Sequence, residues 1–198
     1  MSKENPNDKP GICPDDEQLW HQIKAGERVG IEGLYGKYIQ ELFRLGMSIK
    51  GDRSLVKDCI QEVFLQIWQY RYSIKATDNV KLYLFKCLSN KIHKEVGKDK
   101  KQYGHLDREL KDDLLHEQEE EVEGSFEKRR NLIKAIESLP SRQHEVIHLL
   151  YFENHSYEDI SVIMGINVQS VYTLAWKAIA NLKKRLTMIY LFLWIFLA

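Results

Sequence analysis

Long apolar runs are nearly absent from this chain. The clearest is Met188 to Ala198, MIYLFLWIFLA, and its eleven residues are too few to span a bilayer as a helix, which takes about 20. Cysteine is scarce: Cys13, Cys59 and Cys87 are odd in number and far apart, which excludes a disulfide framework. Only 4 prolines interrupt 198 residues, and no segment shows the alternation of a half-buried strand. No repeat of 20 to 50 residues is present. The N-terminus is polar and has no apolar signal-peptide core, so a cytoplasmic protein is expected. Net charge is also missing, with 29 basic and 29 acidic residues. That balance is not the global signature of a nucleic-acid binder.

The balance hides a segregation. Gly97 to Ser125 holds five bases and ten acids, a local charge of −5, and masks basic character elsewhere. Apolar residues make up 43% of the chain, enough for a buried core. Cys59 and Cys87 fall on apolar helix faces, as small buried hydrophobes do.

The most informative stretch is Ser156 to Leu186, SYEDISVIMGINVQSVYTLAWKAIANLKKRL. Ser156 followed by Asp159 is a capping-box pattern that starts a helix. Ile160, Ile163 and Met164 supply its apolar face, and Gly165 tolerates the left-handed backbone of a helix end. Asn167 is placed to cap a second helix, whose buried side reads Val171, Leu174, Ala175, Ala178 and Leu182. Two helices joined by a short turn containing glycine form the DNA-reading helix-turn-helix. An ordinary helical hairpin is the alternative at this point.

The rest of the chain divides by composition. Residues 1–14 read as a flexible leader and 15–96 as a helical unit. Residues 97–125 read as a charged linker, 126–187 as a second helical unit and 188–198 as an apolar tail. The first unit carries helical stripes at Val56, Ile60, Val63, Phe64 and Ile67, and at Val80, Tyr83, Leu84, Cys87, Leu88 and Ile92. Arg71 to Asp78 between them is a polar loop. In the second unit Pro140 ends one helix and Ser141 is expected to cap the next.

This arrangement resembles a bacterial sigma factor of the extracytoplasmic-function group, over roughly Gln18 to Leu186. DCIQEVFLQIW, Asp58 to Trp68, is similar to the segment of region two that grips the clamp helices of RNA polymerase. The resemblance makes Asp58, Gln61, Glu62, Phe64 and Trp68 candidate polymerase contacts. YLFKCLSNKIHKEV, Tyr83 to Val96, looks like the promoter-melting segment that reads the −10 element. Tyr83-Leu84 stands where the family has an aromatic followed by Leu, and Asn90 where it has a near-fixed Asn. Lys86, Lys91 and Lys94 carry charge suited to phosphates, and Tyr83 offers a face to an unstacked base. The Arg71–Asp78 loop corresponds to the loop that captures a flipped base.

Ala135 to Ile166 resembles region four, through Leu139-Pro140, Glu145-Val146 and Ser156-Tyr157-Glu158-Asp159-Ile160. In the family, region four reads the −35 element and docks on the polymerase flap. The second helix of the helix-turn-helix, however, has no Arg between Val168 and Lys177, although Arg on guanine is the commonest specific major-groove contact. Its outward candidates are Gln169, Ser170, Tyr172, Thr173 and Lys177. Gln169 suits adenine, and Ser170 and Thr173 suit phosphates. This predicts weak −35 readout and more reliance on −10 contacts or on a delivering protein. The acidic run Glu117 to Glu123 would mimic RNA charge in the polymerase cleft, or serve only as a spacer.

A rival motif is His144-Glu145-Val146-Ile147-His148, which matches the zinc hydrolase pattern H-E-x-x-H. No Gly follows His148 at the extended metzincin spacing, His155 is misplaced, and no later acidic residue stands out as a third ligand. The expected protein is therefore all-α and non-catalytic, with no cofactor and no metal. It has two small helical domains joined by a flexible acidic linker, the second with a helix-turn-helix. Its expected partners are core RNA polymerase and promoter DNA, with an anti-sigma factor or other recruiting protein; the apolar tail is expected to pack on the protein's own helices or, failing that, on such a partner. The alternatives are a helix-turn-helix regulator acting without polymerase and the zinc hydrolase.

Overall fold

A computed structural model describes residues 14–75, 77–102 and 123–197, with side chains described within 16–98 and 129–186. Every regular element among them is an α-helix. The first unit comprises α1 (Pro14–Ala25), α2 (Arg28–Ile49), α3 (Arg53–Gln69) and α4 (Val80–Gln102). The second comprises α5 (Glu123–Glu137), α6 (Ser141–Tyr151), α7 (Tyr157–Met164) and α8 (Val168–Leu197). Helix α4 thus runs past Val96 into the segment read as linker, and residues 103–122, including most of the acidic run, lie outside the described residues. So do residues 1–13 of the leader.

Local signals set the helix ends. Asp52 caps α3 by accepting from the amides of Ser54 and Leu55, at 3.0 and 3.1 Å. Asn79 caps α4 through the amide of Leu82 at 2.9 Å. Gly46 of α2 faces both α3 and α4: a β-carbon there would lie 2.4 Å from Val56 Cγ1 and 3.3 Å from Ile92 Cδ1. Asp16, buried near the start of α1, accepts from Lys37 Nζ at 2.6 Å and from the hydroxyl of Tyr38, which pins α1 to α2.

The helix-turn-helix forms as its residues dictate. Ser156 and Asp159 make a reciprocal capping box, Gly165 is left-handed at φ +63°, and Asn167 Oδ1 accepts from the amide of Ser170 at 2.7 Å. Val171, Ala175 and Ala178 are buried, with Leu174 and Leu182 packed beside them. One expectation fails: Ser141 does not cap α6, whose N-cap is Pro140 without a side-chain bond. Its hydroxyl instead donates to the carbonyl of Ile49 at 2.7 Å, so it satisfies the C-terminal end of α2 in the other unit.

That bond belongs to a junction between the two units. Helix α6 packs on α2 and α7 on α4, and one continuous apolar core runs through both units. Glu145 of α6, fully buried, accepts from Ser89 Oγ at 2.6 Å and meets His93 Nε2 at 2.9 Å, both on α4. Glu153 meets Arg44 of α2 at 3.5 Å and Lys81 of α4 at 3.3 Å. The apolar tail continues α8 as a helix to Leu197; its side chains lie outside those described. No helix among the described residues is long and apolar enough to cross a membrane.

Candidate nucleic-acid and polymerase interface

Helix α4 presents two stripes at four-residue spacing, about 100° of helix rotation apart. Phe85, Ser89 and His93 face the second unit: Phe85 packs edge-on against the His155 ring at 5.3 Å, and the other two meet Glu145. Lys86, Asn90 and Lys94 are exposed. The candidate −10 residues are therefore split by the fold. Lys86, Asn90 and Lys94 share an open stripe suited to a phosphate backbone.

Lys91 is only 17% exposed and bridges Glu62 of α3 and Glu95, the latter at 3.2 Å. The bond to Glu62 raises its pKa above the ordinary lysine value, so its position is that of a tie between α3 and α4. Tyr83 is half-buried, edge-on to Trp20 at 5.4 Å. Burial first, then the neighbouring Cys87, pushes its phenol pKa up to about 12. The ring is a partial platform only.

On α3, Asp58 and Gln61 are exposed and Glu62 is open but paired with Lys91. Phe64 points inward, edge-on to Tyr35 at 5.1 Å; it positions the helix and offers nothing to a partner surface. Trp68 is half-buried, with the Arg71 guanidinium 4.4 Å above its ring. Leu65, 52% exposed, completes the outward face with Gln61 and Trp68. From the sequence it stood neither in the buried stripe nor among the contacts; the spacing Gln61, Leu65, Trp68 was the available signal. In the loop after α3, Arg71 is sandwiched between Trp68 and Tyr72, and Tyr70 and Tyr72 stand exposed.

On α8, Gln169, Tyr172, Thr173 and Lys177 are exposed and Ser170 is half-buried. The hydroxyl of Thr173 donates back to the carbonyl of Gln169 at 2.9 Å, so it is not available to a phosphate. Trp176, absent from the sequence candidates, is 71% exposed. Its place three residues after Thr173 and seven after Gln169 put it on the same face.

The H-E-x-x-H motif does not assemble a hydrolytic centre. The carboxylate of Glu145 is turned to Ser89, His93 and Arg142, and no three His, Cys, Asp or Glu side chains among the described residues converge on a metal position. His148 Nε2 lies 3.6 Å from Glu153, beyond hydrogen-bond reach. Burial, with His144 and Arg44 nearby, depresses its pKa to about 4.

All-helical architecture, an exposed polar stripe on α4 and a helix-turn-helix in a second unit define a two-part DNA-binding protein. Residues 34–102 match the family model for Sigma-70 region 2, and residues 129–185 match Sigma-70, region 4. The chain belongs to the sigma-70 family, in its extracytoplasmic-function group. It is 26% identical over 153 residues to the ECF RNA polymerase sigma factor SigM of Bacillus subtilis, covering 77% of this chain and 93% of that one. It is 21% identical over 181 residues to the ECF RNA polymerase sigma factor SigK of Mycobacterium ulcerans, covering 88% and 95%. Two solved structures share the fold. One is the sigma factor RpoE in complex with the anti-sigma factor NepR from Bartonella quintana (TM-score 0.65, 19% identity, 80% of this chain and 98% of that chain). The other is CnrH in complex with the cytosolic domain of CnrY (TM-score 0.61, 17% identity, 88% and 98%).

Proposed function

We propose that this chain is a non-catalytic transcription initiation factor acting in the cytoplasm. It binds core RNA polymerase through the outward face of α3, with Asp58, Gln61, Glu62 and Trp68 as contacts. It holds −10 DNA along Lys86, Asn90 and Lys94 and sets α8 in the major groove upstream. The observation that carries this reading is the open stripe of α4 in one unit and the exposed helix-turn-helix in the other, within segments that match sigma regions 2 and 4. A helix-turn-helix regulator acting without polymerase leaves the region 2 match and the α3 face without a role.

The junction adds a constraint. The −10 and −35 elements are about 25 base pairs apart, roughly 85 Å of duplex at ~3.4 Å per pair. A compact chain of this length has a radius of gyration of about 16 Å. With α7 packed on α4, the two readers cannot reach both elements together. The packed form is the one free of promoter, and the units part on assembly. RpoE is solved with the anti-sigma factor NepR and CnrH with the cytosolic domain of CnrY, and an anti-sigma factor is proposed for this chain too.

The test is initiation by purified core polymerase on promoter libraries, with and without this protein. New transcripts starting downstream of a shared −10-like sequence support the reading. Failure to bind core polymerase overturns it.

A further inference from the structure

Among the described residues of helix α8, the most exposed large hydrophobic side chain is Trp176, on the outward face of a candidate reader that has no Arg between Val168 and Lys177. From N- to C-terminus its outward face is Gln169, Tyr172, Thr173, Trp176, Lys177 and Lys184, all exposed. Trp176 is 71% exposed and lies four residues after the exposed Tyr172, so the two rings share one outward aromatic strip. Tyr172 is braced against Tyr157 of α7, with ring centroids 4.0 Å apart and planes at 18°, so this part of the face is held by stacking. The Thr173 hydroxyl is committed to its own helix, which leaves its methyl as the group to offer. Between Val168 and Leu197 the helix has no acidic residue, and Lys177 and Lys184 lie beside the aromatic strip on the same face. Positive charge flanking a flat apolar strip complements a phosphate-lined groove with apolar groups on its floor. In B-DNA those groups are the 5-methyls of thymine.

We infer that Trp176, with Thr173, determines specificity by reading thymine methyl groups in the −35 major groove, with Gln169 on an adenine of the same element. The inference rests on the sigma-factor reading and replaces the missing Arg–guanine contact with apolar readout of A·T pairs. Gln169 and Trp176 are seven residues apart, about 10 Å along the helix axis at ~1.5 Å per residue. That is about three base pairs at ~3.4 Å each, so the sensitive thymine should lie about three pairs from the adenine.

The experiment uses polymerase holoenzyme carrying the full chain. A −35 sequence is first selected from a randomised upstream region. Each thymine in it is then replaced by deoxyuridine, which removes only the methyl. Loss of one buried methyl should weaken binding about fourfold at one or two positions. Trp176→Ala should weaken binding to the thymine duplex and abolish the thymine–deoxyuridine difference, and Trp176→Phe should keep part of it. The side chain is exposed, so neither variant should alter folding, and thermal melts check this.

Three results would overturn the inference. One is the absence of any enriched −35 sequence. Another is an unchanged affinity at every deoxyuridine. The third is a Trp176→Ala variant that keeps full DNA affinity and the thymine preference, which would assign the face to a protein partner instead. Transcription from promoters that depend on the −10 element alone is measured in parallel. If it persists while the methyl effect is absent, the sigma reading stands and only this inference falls.

Discussion

Ser89 Oγ on α4 donates a 2.6 Å hydrogen bond to Glu145 Oε1 on α6, joining two fully buried side chains 56 residues apart in sequence. With His93 and Arg142 on its other oxygen, Glu145 is a carboxylate of the second unit committed to the first. Buried polar groups that lose a partner keep their desolvation penalty. Ser89→Ala should therefore cost about 1–2 kcal/mol, since Glu145 keeps two partners, and Glu145→Ala should cost more, since three groups lose theirs. The double variant should cost less than the sum of the singles. Urea denaturation measures the stabilities, and a pair of fluorophores, one on each unit, should report a larger separation in both variants.

Acid should weaken the same region. His148 is held down to about 4 by burial, then by His144 and Arg44, with Glu153 and the Phe152 ring also against it. His155 is lowered by burial first, facing Phe85, Lys81, Asp159, Glu153 and Glu41. A histidine whose folded pKa is depressed refuses a proton that the unfolded chain accepts. Stability is thus full above about pH 6.5 and falls as the pH drops from there toward about 4. Thermal melts across that window should show the decline, and His148→Gln should flatten it.

Two glycines on one helix should respond to alanine with opposite signs. At Gly46 the new methyl meets Val56 Cγ1 at 2.4 Å, and Gly46→Ala should cost about 1–3 kcal/mol through forced repacking. At Gly36 nothing lies within 4 Å, and Gly36→Ala should stabilise by about 0.5–1 kcal/mol through helix propensity. Equal effects from chemical denaturation would contradict the packing assigned to α2, α3 and α4.

The helix-turn-helix was legible because its signals are local. The Ser156–Asp159 box, Gly165 and the Asn167 cap act within three residues of chain, and each forms as read. The junction was illegible because its partners are 52 to 109 residues apart. Nothing in the sequence distinguishes Glu145, which is buried, from the exposed Glu158. Ser141 shows the same limit: a serine after proline reads as a cap, yet tertiary contact gives its hydroxyl to Ile49. Trp176 stood in neither the buried set nor the outward candidates read from the sequence, although its spacing from Gln169 and Thr173 puts it on their face.

The sequence treats Lys86, Lys91 and Lys94 alike, and the fold separates them, so their alanine variants should fail in different ways. Lys86 and Lys94 are exposed on the open stripe of α4. If each neutralises one phosphate of the melted −10 strand, its removal should reduce the slope of log affinity against log salt by about 0.7. Folding should be unaffected, because an exposed lysine adds little to stability. Lys91 bridges Glu62 on α3 and Glu95 on α4 at 17% exposure. Lys91→Ala should leave the salt slope unchanged and lower the melting temperature, since two carboxylates lose their shared cation. Salt titrations of holoenzyme binding to a −10 single strand, set beside melts of the three variants, make the comparison. A reduced slope for Lys91→Ala with an unchanged melt would place that lysine on DNA and remove it from the α3–α4 tie.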